Sequence, residues 1–266
     1  GLLLLPRPIQ IGFGRARLIW PQAQKLNWKV LQPGVDATPK PIAGGFNELT
    51  IPLPVAKLPE MPKDLPKRFE PVPMILASGF ADWADVSAVM APYYKTDGAI
   101  ADGSDLAKVV DGIMARSTDP VQRMAEALQT VQEDVRYQLI ALGTGNYVPQ
   151  APDSTWQKRF GDCKAKTLLL IAMLRRMGIT AEPVLASSTR GDGVENMPPA
   201  AMAFDHVFVR AEVAGESFWL DGTSLGARLA DIRDVPRFGK VLPIRAEGAG
   251  LLTLPQRANA RPAADV

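Results

Sequence analysis

The stretch KRFGDCKAKTLLLIAML, residues 158–174, decides how the rest of the chain is read. It holds the only cysteine, Cys163, between a Gly161-Asp162 turn and a strongly apolar run. Gly178 stands where a helix begun at Cys163 would need its left-handed C′ residue, and Arg175 and Arg176 suit the negative helix end. The spacing predicts a helix from about Cys163 to Met177. Unpaired backbone N–H groups and the helix dipole at its start stabilise a thiolate. Lys164 and Lys166 add positive potential, while Asp162 opposes it or caps the helix. A free cysteine is also commonly a small buried hydrophobe, and position alone leaves both readings open.

Beyond residue 180 the apolar period shortens to that of strands. TAEPVLAS, DHVFVRAEV, ESFWLDGT and KVLPI follow one another, with the long polar loop STRGDGVENMPPA after the first. The single histidine, His206, opens DHVFVRAEV. Alternation puts His206, Phe208 and Arg210 on one face and Val207, Val209 and Ala211 on the other, the expected core face. His206 is either a functional imidazole at a cleft or a packed side chain. Asp221 ends FWLD before Gly222, a pattern that also simply makes a turn. If Ala214-Gly215 is a two-residue hairpin turn, Val213 faces Glu216 and Phe208 faces Asp221. His206 and Asp221 then share a face as diagonal neighbours. A three-residue loop would put them on opposite faces.

On the N-terminal side of Cys163, three helices are expected. DWADVSAVMAPYY has Asp82 as N-cap, SDLAKVVDGIMAR has Ser104, and TDPVQRMAEALQTVQEDV has Asp119 followed by Pro120 at the first helical position. VRYQLIALGTGNYVPQAP begins like a strand and becomes a Gly/Pro loop around Tyr147. Residues 1–56 read as short strands in IGFGRARLIW, LNWKVLQ and FNELTIPLPV, a β-rich domain expected to be part of a larger one. Residues 57–80 are assigned to a proline-rich linker, because seven prolines lie between Pro52 and Pro73. The core is assigned to 81–250, and 251–266 to a frayed tail.

Composition narrows the chemistry. With 47% hydrophobic residues in a chain of 266, a substantial core can form. Thirty basic and 28 acidic residues are interspersed, without the basic block that nucleic-acid binding requires. The longest apolar run, Leu168 to Leu174, is far short of a membrane span, and Leu2–Leu5 is too short for a signal-peptide core. Any export signal would lie outside this chain. One cysteine and one histidine exclude an internal disulfide, multi-cysteine zinc sites and paired-histidine sites, so neither metal nor cofactor is expected. A cysteine at a helix start, a histidine on a strand and a carboxylate one strand later supply nucleophile, base and orienting group.

RFGDCKAKTLLLIAMLRRMGITAEPVLAS, FDHVFVRAEV and FWLDGT together resemble the bacterial transglutaminase-like superfamily over roughly residues 120–225. GDCKxK, and ASGFADWADVSAVMAPYY upstream, resemble a subgroup in which a β domain precedes the core. The resemblance implies an α+β, papain-like core, with a Cys-bearing helix packed on an antiparallel sheet. It implies thiol acyl chemistry on peptide or protein amides, with Cys163, His206 and Asp221 catalytic. Hydrolysis is expected ahead of cross-linking, and a silent scaffold using the β domain is the alternative. An envelope or periplasmic location is implied, with the cytoplasm as the alternative; oligomeric state is unread. Where the subgroup has an acidic residue, Asn and Pro, this chain has Ala165, Asp205 and Gly222. Asp205 is expected to raise the pKa of His206 or compete for it. Trp156, Tyr137 and Tyr147 are the candidates for a second oxyanion donor or for the cleft wall, beside the backbone N–H of Cys163.

Overall fold

The computed structural model describes residues 2–5, 13–32, 34–35, 37–58, 60–65, 69, 72–139 and 147–260. Residues 140–146, most of the Gly/Pro loop before Tyr147, lie outside them.

The N-terminal part forms two three-stranded antiparallel sheets. One has the order β1 (Leu2–Leu4), β6 (Met74–Ser78), β3 (Asn27–Val30). The other has β2 (Gly14–Pro21), β5 (Phe46–Leu53), β4 (Lys40–Ile42). Ala16, Leu49 and Ile51 of one sheet bury against Ile75 of the other. One expectation needs correction here. The segment assigned to a linker up to residue 80 contains β6, the central strand of its sheet. Its prolines end at Pro73, and the apolar Met74-Ile75-Leu76 that follows is free to pair and is buried. The short strand β4 was not foreseen.

All three expected upstream helices form, with their expected caps. The Asp82 carboxylate accepts from Asp85 N at the start of α1 (Trp83–Met90). Ser104 accepts from Ala107 N at α2 (Asp105–Arg116), and Asp119 from Val121 N at α3 (Pro120–Asp134). A short 3-10 turn, Ala91–Tyr94, continues α1. The two-residue strand β7 (Arg136–Tyr137) pairs in parallel with β8 (Phe160–Gly161). Between them, α4 (Pro152–Lys158) forms in a segment read as loop; Pro152 occupies its first turn.

Helix α5 (Cys163–Arg176) runs where its sequence places it. Gly178 N donates to Arg175 O at 3.0 Å and Ile179 N to Leu174 O at 2.9 Å, with Gly178 at φ +76°. These two bonds are a Schellman closure, which turns the chain directly into the next strand. The main sheet is antiparallel, in the order β11 (Glu216–Leu220), β10 (His206–Val213), β9 (Thr180–Ala186), β12 (Lys240–Pro243), β13 (Leu252–Thr253). Val213 pairs with Glu216 and Val209 with Leu220, the two-residue hairpin register.

Leu169, Leu170, Ile171 and Met173 of α5 pack with Val131 of α3 and with Val209, Ala211 and Phe218 of the sheet. The opposite sheet face, expected to be the less apolar, has its own core. Phe208 is fully buried there among Val184, Trp219, Val235 and Val241. The reason is also the correction to the tail: residues 252–253 form an edge strand, and Leu254 buries over that face. Residues 261–266 lie outside the described residues. Among the described residues, no helix is long and apolar enough to cross a membrane.

Candidate active site

Cys163 is the first residue of α5 and is nearly buried, among Val86, Met90, Tyr94 and Leu185. Asp162 is the N-cap; its Oδ1 accepts from Ala165 N at 3.1 Å. Gly161 is required for close approach, because a Cβ there would lie 2.7 Å from Ala165 Cβ. Both lysines are engaged by partners of their own. Lys164 pairs with the Asp162 carboxylate, and buried Lys166 donates to Val135 O at 2.5 Å. Burial lowers the Lys166 pKa, against the pull of Asp221.

His206 begins β10, opposite Ala186. Its Nε2 lies 2.8 Å from Asp221 Oδ2. Cys163 and His206 line the same cleft, and the thiol is one of the groups that set the charge state of the ring. Burial depresses the imidazolium, but the bonds to Asp221 and then Cys163 outweigh it and raise His206 to about 9. Phe238 and Phe208 flank the ring, with centroids 5.3 and 6.4 Å away. Helix and strand are tied at this depth by Thr167 Oγ1, which donates to Val207 O at 3.0 Å in a buried setting.

Asp221 follows the last residue of β11. Its Oδ1 accepts from Thr223 N at 2.9 Å and Thr223 Oγ1 at 2.7 Å. Burial raises its pKa, yet the His206 and Thr223 bonds win and hold it below the usual range. Gln132 of α3 donates to Asp221 O at 2.9 Å and accepts from Ala227 N at 3.0 Å, clamping the strand end. Gly222 packs against Val131 and Lys166; a Cβ there would stand 3.1 Å from Val131 Cγ1. Gln132 and Thr223 were not singled out from sequence. Only Thr223 had a local signal, as the second residue after an Asp able to form an Asx turn.

A cleft of about 290 Å³ opens over Cys163 and His206, with Tyr94, Leu139, Tyr147, Lys164 and Asp205 among its walls. Asp205 does not compete for His206. Its carboxylate accepts from Ser188 N at 2.7 Å and Ser188 Oγ at 2.9 Å, which pins the loop after β9. The three aromatic candidates separate. Tyr147 lines the cleft. Tyr137 is half exposed and held by the β7–β8 pairing; burial and then the charges of Cys163, Asp162 and Asp221 raise its phenol. Trp156 is absent from the cleft wall and is buried in the main core, with the Arg159 guanidinium 3.6 Å over its ring. Tyr94 was missed. It is buried beside Cys163, and its hydroxyl has no hydrogen-bond partner among the described residues. Burial, then Cys163 and Asp162, push that phenol well up and keep it a donor.

An α+β core in which a Cys-bearing helix packs on an antiparallel sheet bearing His and Asp has the papain-like arrangement. Residues 107–220, within this core, match the model of the transglutaminase-like superfamily. A proposed protease from Parabacteroides distasonis ATCC 8503 superposes over 95% of this chain with a TM-score of 0.64 at 16% identity. The superposition covers 47% of that protein, so this chain spans about half its length. A proposed cysteine protease from Cytophaga hutchinsonii aligns over 97% of this chain and 81% of its own, at 13% identity and a TM-score of 0.39. At these identities the likeness concerns the fold alone. No curated protein matches this chain significantly.

Proposed function

We propose that the protein is a thiol-dependent amide hydrolase, with Cys163 as nucleophile, His206 as general base and acid, and Asp221 as the group that orients the imidazole. The observation that carries this reading is one imidazole that shares a cleft with the Cys163 thiol and is bonded through Nε2 to a part-buried carboxylate 2.8 Å away. The Cys163 thiol gives its proton to His206, Sγ attacks the amide carbonyl carbon, and the C–O π electrons move onto oxygen. The Cys163 backbone N–H stabilises that oxyanion, with the partnerless Tyr94 hydroxyl as second donor. The tetrahedral species collapses, the C–N bond breaks, and His206 delivers its proton to the leaving amine. Water, deprotonated by His206, then attacks the thioester carbonyl and releases a carboxylic acid and the thiol. Asp205 and Lys164 bring polar groups to the cleft wall and Tyr147 is 40% exposed, which supports water ahead of an amine as second acceptor.

The test is alkylation of Cys163 by iodoacetamide, followed by intact mass from pH 5 to 10. The wild type should react on the order of a hundredfold faster near pH 6 than His206→Ala. Cys163→Ser should take up no label and remain folded. Equal rates for wild type and His206→Ala would leave a scaffold with an ordinary thiol. With a peptide amide substrate and a millimolar primary amine present, the acid should outweigh the transamidated product.

A further inference from the structure

A second cavity, of about 600 Å³, lies against the cleft. Met90, Tyr147, Ala201 and Met202 line both, so the two spaces share a wall. The β domain builds the far side with Leu18, Leu26 and Ala77; α1 and its 3-10 extension supply Val89 and Tyr93. Among the described residues, none that lines this cavity is charged. Val89 is 55% exposed, Met202 44%, and Tyr93 and Tyr147 40% each. Large apolar side chains left open and gathered at one place mark a binding surface. The walls are held in register. Lys29 Nζ donates to Asn196 O at 2.7 Å, Ser78 Oγ donates to Pro199 O, and Asn27 Nδ2 donates to Phe80 O at 2.6 Å. The volume falls within the range of ligand-binding clefts, about 300–1,000 Å³.

We propose that this cavity is the specificity subsite of the site assigned above, and that it takes the bulky apolar side chains of a peptide flanking the amide presented to Cys163. The proposal rests on the reading of Cys163 as nucleophile. The occupant follows from the chemistry of the walls. A free fatty acid or a lipid headgroup would bring a charge that no described lining residue can pair. A peptide anchored by its backbone over Cys163 brings neutral apolar side chains to the shared wall. The β domain is then part of substrate selection, because it supplies half of the subsite.

The experiment compares two peptide thiol reagents, iodoacetyl-Leu-Phe amide and iodoacetyl-Gly-Gly amide, by their alkylation rates at Cys163. The Leu-Phe reagent should react at least about tenfold faster, the discrimination typical of an apolar pocket. Ala77→Trp, which fills the cavity from the β domain, should bring the ratio towards one. Val89→Glu, at a position exposed enough to be tolerated, should do the same by charging the wall. A ratio near one in the wild type, or a ratio that survives both substitutions, overturns the proposal. Saturation-transfer NMR of acetyl-Leu-Phe-Gly amide and acetyl-Gly-Gly-Gly amide on Cys163→Ser reads the cavity without chemistry. Loss of alkylation by both reagents with the NMR contrast intact would sink the nucleophile and keep the cavity. Alkylation without preference and no NMR contrast would sink the cavity and keep the nucleophile.

Discussion

Asp221→Asn tests the electrostatics of the site directly, because His206 is the only histidine in the chain and its ring protons can be followed alone by NMR. In the folded protein the imidazolium is opposed first by burial. It is favoured by the bond to Asp221, the bond to Cys163 and the charges of both, and the balance lies at about 9. Asparagine retains an oxygen for Thr223 N and Oγ1, so the turn after β11 should survive, but the carboxylate charge is gone. Burial then faces Cys163 alone. The midpoint should fall by at least about one pH unit, which corresponds to about 1.4 kcal/mol of lost preference for the imidazolium. The assay is the pH titration of the histidine resonances in wild type and variant. A wild-type midpoint near 6.5, or a variant that titrates with the wild type, would refute the coupling inferred from the 2.8 Å contact.

Stability should follow the same two groups. His206, raised in the fold, contributes fully below about pH 6.5 and loses that contribution as pH climbs through about 9. Asp221, depressed in the fold, contributes above its ordinary value near 3.8 and loses it as acid protonates the native carboxylate. Urea midpoints across pH 3–10 should therefore decline at both ends, with Asp221→Asn flattening both limbs. Gly161→Ala should cost about 1–3 kcal/mol in urea unfolding, because its Cβ would sit 2.7 Å from Ala165 Cβ. Leu169→Ala removes a fully buried side chain and should cost about 2–5 kcal/mol by the same measurement. Gln132→Leu leaves Ala227 N without its acceptor and frees the end of β11. It should cost about 1–3 kcal/mol and slow Cys163 alkylation while leaving the helix signal in circular dichroism intact.

What could be read in the chain is what local chemistry decides. Helix α5 announces itself by its apolar run, its Asp162 cap and its Gly178 closure, and each forms as written. The Ala214-Gly215 turn sets a register that puts His206 and Asp221 on the same side, and the 2.8 Å contact follows from it. What escaped depends on partners distant in sequence. Tyr94 matters because α1 is fastened to the sheet by Ser87 Oγ, which donates to Pro243 O at 2.7 Å. Gln132 matters because α3 passes beneath Asp221. The strand at Met74–Ser78 was hidden by the prolines before it, and Leu254 by the small residues after it. Trp156 was drawn towards the site by its closeness in sequence to Cys163, but α4 turns it into the core.

The hydroxyl of Thr167 that reaches Val207 O has a consequence for the life of the molecule before it is finished. Thiol and imidazole come from separate elements, and only the seam between α5 and β10 brings them together. A chain still being synthesised, or held extended, carries Cys163 without the imidazole that the proposed mechanism requires. Under the proposed mechanism, the thiol is armed by the same contact that completes the core.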